Sequence, residues 1–333
     1  MSKLLRWAIL GALVTSLASL SAMAEGGWGE ERGCENELEF RANSTSNPLQ
    51  IATLHWYAAN LTTAFPVGTT PFGVAFDGAN LWVVNGGNNN VTKLRTNDGA
   101  VLGTFAVGHS PFGIAYDGAN MWVSNFNDNT VTKLRASDGA VLATFSAGQR
   151  PGGLAFDGSN MWVANIPDKV TKLRASDGVV LGTFSVGQFP SHLAFDGASV
   201  WVANTASNNV TKLRARDGAV LGTFNVGASP HGLAFDGANV WVANSGSNTV
   251  TKLRARDGAA LGTFSVGSTP YGVVFDGASI WVVNFGSSDV TKLAAHNGAT
   301  LGTFSVGAGP EDTAFDGANI WVVNTNDGSV SKL

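Results

Sequence analysis

The chain has one cysteine, Cys34, in 333 residues. A single thiol cannot close an internal disulfide, so no cross-links hold this fold together. Charge is sparse: 13% of residues are Asp, Glu, Lys or Arg, with 20 basic residues against 24 acidic ones. Nucleic-acid binding needs a basic face, and this balance excludes it as a partner class. Past Leu20 no apolar run is long enough to span a bilayer. No helix-sized window carries apolar residues at a 3.6-residue period. What the chain does have is 42 glycines and 10 tryptophans, set among short β-branched runs.

The amino terminus follows separate rules. Lys3 and Arg6 precede an apolar stretch from Trp7 to Leu20, then Ala22-Met23-Ala24. A basic start, an apolar middle and an A-x-A site read as an export signal, residues 1–24, cleaved after Ala24. The expected location is secreted or periplasmic, with no membrane span after cleavage. Residues 25–50 are glycine-rich, acidic and polar, including Glu30, Glu31, Glu35, Glu37 and Glu39. Such a segment buries too little apolar surface to order itself, and it reads as a partly disordered leader.

From about residue 67 one sentence repeats. Phe-Asp-Gly, once Tyr-Asp-Gly, places its Asp at 77, 117, 157, 196, 236, 276 and 316, a period of 40 broken once by 39. A fixed period of this size marks a repeat architecture. The second copy has four segments rich in β-branched and aromatic residues, at 112–116, 121–125, 131–135 and 140–145. Asp117-Gly118, Asn127-Asp128-Asn129 and Asp138-Gly139 separate them, and these are hairpin signals. Each copy is therefore expected to be a four-stranded antiparallel meander, with strands a to d. Seven such units predict an all-β, seven-bladed β-propeller. The tryptophan in every strand b and the phenylalanine in strand d read as wedge-filling core. The Asn that ends every strand b reads as a turn-satisfying side chain.

The last copy stops at Leu333, after strand c. Upstream of the first copy, Leu61–Phe65 aligns with strand d and is expected to complete the ring, hiding its edges. The propeller domain is thus 51–333. Residues 51–54 duplicate a strand c that the ring already has, and receive no place.

In a four-strand meander the b–c and d–a loops share one face. Those are the loops that vary, whereas the Asp-Gly turns of the other face hardly change. Function is expected on the variable face. The residue after each strand-a Pro should line the channel mouth there: Phe72, Phe112, Gly152, Ser191, His231, Tyr271 and Glu311. Aromatic residues with a few convergent polar groups fit a ligand pocket. The candidate ligand-binding residues are Phe72, His109, Phe112, Arg150, Phe189, His192, His231, Tyr271 and Glu311. The partner is an unidentified protein, glycan or small molecule.

Pro-x-Gly, Trp-Val-Ala-Asn, Asn-x-Val-Thr-Lys-Leu and Gly-Thr-Phe-x-Val-Gly together resemble the YVTN-type propeller repeats of secreted bacterial and archaeal proteins. The chain is also similar to the streptogramin (virginiamycin B) lyase group, over residues 67–333. That second resemblance implies a metal-assisted carbon–oxygen lyase: a Pro-His supplies the base, and a further Pro-His and glutamates hold Mg²⁺. Pro230-His231 matches the base. The preceding blade reads Pro190-Ser191-His192, with its His one residue late and expected on the opposite side of the strand. The family's glutamates fall on Ser229 and on the strand-b Asn residues. The expectation is a binding module without a metal or other cofactor. The alternative is a Mg²⁺-assisted lyase or hydrolase with His231, Tyr271 and Glu311 as its catalytic residues.

Overall fold

The computed structural model describes residues 64–333. The expected signal and leader, Cys34 and residues 51–63 lie outside the described residues. Short β-branched runs cut by Asp-Gly and Asn-rich breaks form strands of four to six residues in the seven repeats. The second blade runs Pro111–Tyr116, Asn120–Asn125, Thr130–Arg135 and Val141–Ser146, each strand paired antiparallel with the next. Seven four-stranded sheets form in this way, and the inner strands touch in a closed circle, first against seventh. Among the described residues no helix is long and apolar enough to cross a membrane.

The ring closes as expected. The seventh blade contains Pro310–Phe315, Ile320–Asn324 and Ser329–Lys332, and takes Ala64–Pro66 as its fourth strand. Ala64 pairs with Ser331, Phe65 with Val330 and Pro66 with Ser329. The Val67 N–H then donates to the Gly328 carbonyl at 2.9 Å. The seal is apolar too. Phe65 packs with Val330 and Trp321 of the seventh blade and with Val74, Leu81 and Leu94 of the first.

Each core cluster bridges two blades. Trp122 and Val131 of the second blade pack on Leu154, Met161 and Val163 of the third. The strand-d Phe lies at the rim of this wedge, and Phe145 stacks on Trp122 with ring centroids 5.5 Å apart.

Every blade places a lysine over its strand-b tryptophan, and in five of the seven that lysine also pairs with the aspartate after strand a at 3.4 to 3.9 Å. Asp117 ends strand a and accepts hydrogen bonds from the Ala119 and Asn120 N–H groups and from Trp122 Nε1, the last at 2.8 Å. Burial alone would raise its pKa, but these three donors outweigh it and hold the carboxylate below the usual range. Lys133, two strands away, places Nζ 4.9 Å from the Trp122 ring centroid and 3.4 Å from Asp117. The same ammonium donates to the Ala175 carbonyl of the next blade at 2.7 Å. Lys332 repeats this across the closure, donating to Thr96 O at 2.8 Å. Lys292 is looser, with a side chain 28% exposed. It faces the blade in which chain ends replace the c–d turn.

The strand-b Asn amide donates across the b–c hairpin or to the d–a loop in every blade, as expected of a turn-satisfying side chain, although in five blades its Oδ1 has no partner among the described residues. Asn125 accepts from the Gly108 N–H at 3.0 Å and donates to the Thr130 and Thr132 hydroxyls. Loop sides also follow the expected rule. The Phe126 N–H of a b–c loop bonds to Ser110 O of a d–a loop, and the Ala136 N–H of a c–d turn bonds to Ala119 O of an a–b turn.

Two outcomes test this account. Deleting residues 51–66 removes the seventh blade's outer strand and should give insoluble or molten protein by near-ultraviolet circular dichroism and gel filtration. A deletion that melts like the parent would sink the closure argument. Lys133→Met keeps the stem but leaves Asp117 and Ala175 O without the ammonium. It should cost about 3 kcal/mol in chemical denaturation, and an effect near zero would make the bridge dispensable.

Candidate functional site

Seven inner strands surround the channel, and their sequence decides its width. The residue two after each Pro is Gly in five blades: Gly73, Gly113, Gly153, Gly232 and Gly272. At Gly113 a Cβ would come within 2.6 Å of Gly152 O on the next inner strand, and at Gly153 within 2.6 Å of Ser191 O. Glycine is thus what lets neighbouring inner strands approach so closely. The fourth and seventh blades carry His192 and Asp312 at this position.

The placement of His192 corrects the sequence expectation. Pro190 pairs with Asn204 but Leu193 pairs with Val202, so strand a holds one extra residue. Such a bulge breaks the in–out alternation. His192 therefore turns into the channel instead of away from it, and its ring lies 4.6 Å from that of His231. A contiguous aromatic arc results. Phe72–Phe112 centroids are 5.3 Å apart, Phe112–His192 6.1 Å, His192–His231 4.6 Å, His231–Tyr271 4.4 Å and Tyr271–Phe285 5.2 Å. The seventh blade interrupts it with Glu311 and Asp312.

Two spaces meet at this arc. At the mouth, on the variable face, is a pocket of about 540 Å³ lined by Phe112, Phe126, Ile166, Phe189, Pro190 and Thr205, with Ser191 and His231. Within the ring is a narrower cavity of about 150 Å³, whose wall includes Phe72, Phe112, His192, Glu311 and Asp312. Phe112 belongs to both.

The cavity's titratable groups are all pushed toward their neutral forms. Burial drives the His192 pKa down to about 4. Burial, and then repulsion from His192, holds His231 well below its ordinary value. Neither Nδ1 has a hydrogen-bond partner. Burial, with the Asp312 charge beside it, raises Glu311 to about 8. Burial lifts Asp312 to about 6, against the pull of hydrogen bonds from the Val74 and Thr313 N–H groups. Tyr271 is raised by burial and by Glu311. At neutral pH the imidazoles of His192 in the cavity and of His231 at the mouth are therefore neutral, and the adjoining Glu311 and Asp312 together favour retaining a proton.

Of the nine residues expected to bind ligand, seven gather here: Phe72, Phe112, Phe189, His192, His231, Tyr271 and Glu311. Arg150 sits beside them, its guanidinium 5.9 Å from the Phe126 ring centroid, lining a separate hollow with Phe189. His109 is not part of the site. Its side chain is 74% exposed and pairs with Asp128 at 2.9 Å. Sequence reasoning missed Asp312, although its departure from Pro-x-Gly marked it. It also left Ile166 and Thr205 among the merely variable loop residues.

No family model and no curated protein matches the sequence. Solved structures do resemble the fold. Kuenenia stuttgartiensis hydrazine synthase matches with a TM-score of 0.71 at 18% identity, over 80% of this chain and 97% of that one. A streptogramin B lyase structure matches with a TM-score of 0.71 at 16% identity, over 81% of this chain and 95% of that one. At such identities the likeness shows a shared propeller fold and nothing of chemistry.

The donor set does not fit the Mg²⁺ that a lyase would need. Mg²⁺ takes charged oxygen ligands in octahedral array. Only two carboxyls of the described residues, Glu311 and Asp312, border the cavity, and each Asp312 oxygen already accepts a backbone N–H group. Among the described residues no group of three or more His, Cys, Asp or Glu is arranged to hold a metal ion.

A raised carboxyl pKa has a thermodynamic consequence. The folded protein holds the Glu311 proton more tightly than the unfolded chain between about pH 4.5 and about 8. Stability from this group is fully present below that window and is lost as pH rises through it. Glu311→Gln removes the penalty. Melting temperatures from about pH 5 to about 9 should show the variant gaining on the parent as pH rises. Parallel curves would mean Glu311 is solvated.

Proposed function

We propose that this is an exported, non-enzymatic β-propeller that binds a small, largely apolar molecule at the channel mouth of its variable face. One observation carries the reading: the mouth pocket of about 540 Å³, walled by Phe112, Phe126, Ile166 and Phe189 and carrying Ser191 and His231. An apolar concavity with a few convergent polar groups is the usual form of a small-molecule site. A glycan would need more hydrogen-bonding groups on the wall. A protein partner would favour a flatter surface. The export element rests on residues 1–24, and it places the ligand outside the cytoplasm.

The lyase alternative has less support. His231 is a weak base in its buried setting, and among the described residues no group of three or more His, Cys, Asp or Glu is arranged to hold a metal ion.

Binding of the neutral dye N-phenyl-1-naphthylamine, read by fluorescence, tests the pocket. Phe189→Ala should weaken it about five- to tenfold, as expected for loss of a buried aromatic contact. Ala119→Lys, on the Asp-Gly face, should leave it unchanged. Equal binding by parent and Phe189→Ala would remove the pocket from consideration. The same protein, incubated with Mg²⁺ and a streptogramin-type depsipeptide, should leave the ring intact. Ring opening abolished by EDTA and by His231→Ala would establish the lyase reading instead.

A further inference from the structure

We propose that the inner cavity receives a small organic cation, a methylated ammonium group, held between the aromatic arc and the Glu311 carboxyl. The inference deepens the mouth-pocket reading and rests on it, because the mouth is the way in. Four observations on the cavity converge.

The first is the wall. Phe72 and Phe112 border the cavity directly, and His231 and Tyr271 continue the arc behind His192. Aromatic faces carry partial negative charge and attract ammonium groups, most strongly where water is displaced. The second is charge. Glu311 and Asp312 both border the cavity, and no lysine or arginine lines it. The polar contacts of Asp312 are two backbone N–H donors, which are dipoles and not counter-charges. A buried carboxylate without a cation is costly, and an incoming cation relieves that cost.

The third is that nothing else in the cavity competes. The histidines facing the carboxyls across the channel are held neutral, and Tyr271, on the adjoining strand, stays a neutral phenol. The fourth is hardness. The same wall that is unsuited to Mg²⁺ suits a cation that is large, weakly hydrated and needs no oxygen ligands. The two exceptions to the glycine ring give this set its form. His192 and Asp312 fill positions where five blades have no side chain.

Isothermal titration of the full mature chain with choline and with its uncharged isostere, 3,3-dimethylbutan-1-ol, separates charge from shape. At about pH 9 Glu311 is ionised as well as Asp312. Choline should then bind at least about tenfold more tightly than the isostere. Glu311→Gln should reduce that preference at least about threefold, since it leaves Asp312 as the only charge. Melting temperature confirms that the variant is folded. Equal affinity for both probes, no measurable choline binding, or a choline preference untouched in Glu311→Gln would each overturn the proposal. If the naphthylamine dye still binds in those cases, the mouth pocket stands and the cation site alone is lost. If the dye fails too, both readings fall.

Discussion

The interaction on which the ring depends is the buried aspartate–tryptophan–lysine unit between blades. Asp117 fixes the a–b turn through two backbone N–H groups, fixes the indole through Nε1, and draws in Lys133. The lysine then reaches out of its own sheet to a carbonyl of the next. Hydrophobic burial holds two blades face to face but sets no register between them. A directional bond from a charge at a fixed site does set one. Each blade is thereby placed against the next by the residue pattern that also builds its own turn, which explains why Asp, Trp and Lys survive in all seven repeats while the loops diverge.

The fold was legible because its signals are local and repeated seven times. Period, Asp-Gly turns and the missing last strand are features of chain order, and they gave blade number, topology and closure directly. The Asp–Trp–Lys unit was visible as letters but not as a contact, since the lysine's partners lie on other strands and in another blade. Within the site, the residue after each Pro was readable because strand alternation places it. The next residue was misread for His192 because alternation fails at a bulge, and a bulge leaves no mark in a single copy. What did mark it was the comparison between copies, Gly in five and His or Asp in two. Ile166 and Thr205 reach the pocket through loop conformation, which no periodicity encodes.

The channel shows how near-identical repeats yield an asymmetric site. Seven equal blades would give a ring of equal side chains and a featureless pore. Here the aromatic residues occupy a continuous arc, and the carboxyls fall together in the seventh blade, the one assembled from both ends of the domain. The scaffold tolerates change at the residue after each Pro because that side chain faces the channel or its mouth, whereas the next position is held to Gly in five blades by the neighbouring strand. Substitution after the Pro alters the lining of the channel and leaves the inter-blade core clusters as they are.

The closure bond between Lys332 and Thr96 joins residues 236 positions apart. The bridges from Lys93, Lys133, Lys172, Lys212 and Lys252 each reach the next repeat along the chain, so six blades can assemble progressively. Three strands of the seventh blade can pair in sequence, but the blade cannot be completed until Ala64–Pro66 meets Ser329–Lys332, and the entropy of bringing such distant segments together must be met in one late step. Synthesis runs from the amino terminus, so Ala64–Pro66 is made early and has no partner until its strand neighbour Ser329–Lys332 is made. The order of arrival, more than the stability of any blade, then governs how long the molecule stays vulnerable to mispairing with its neighbours.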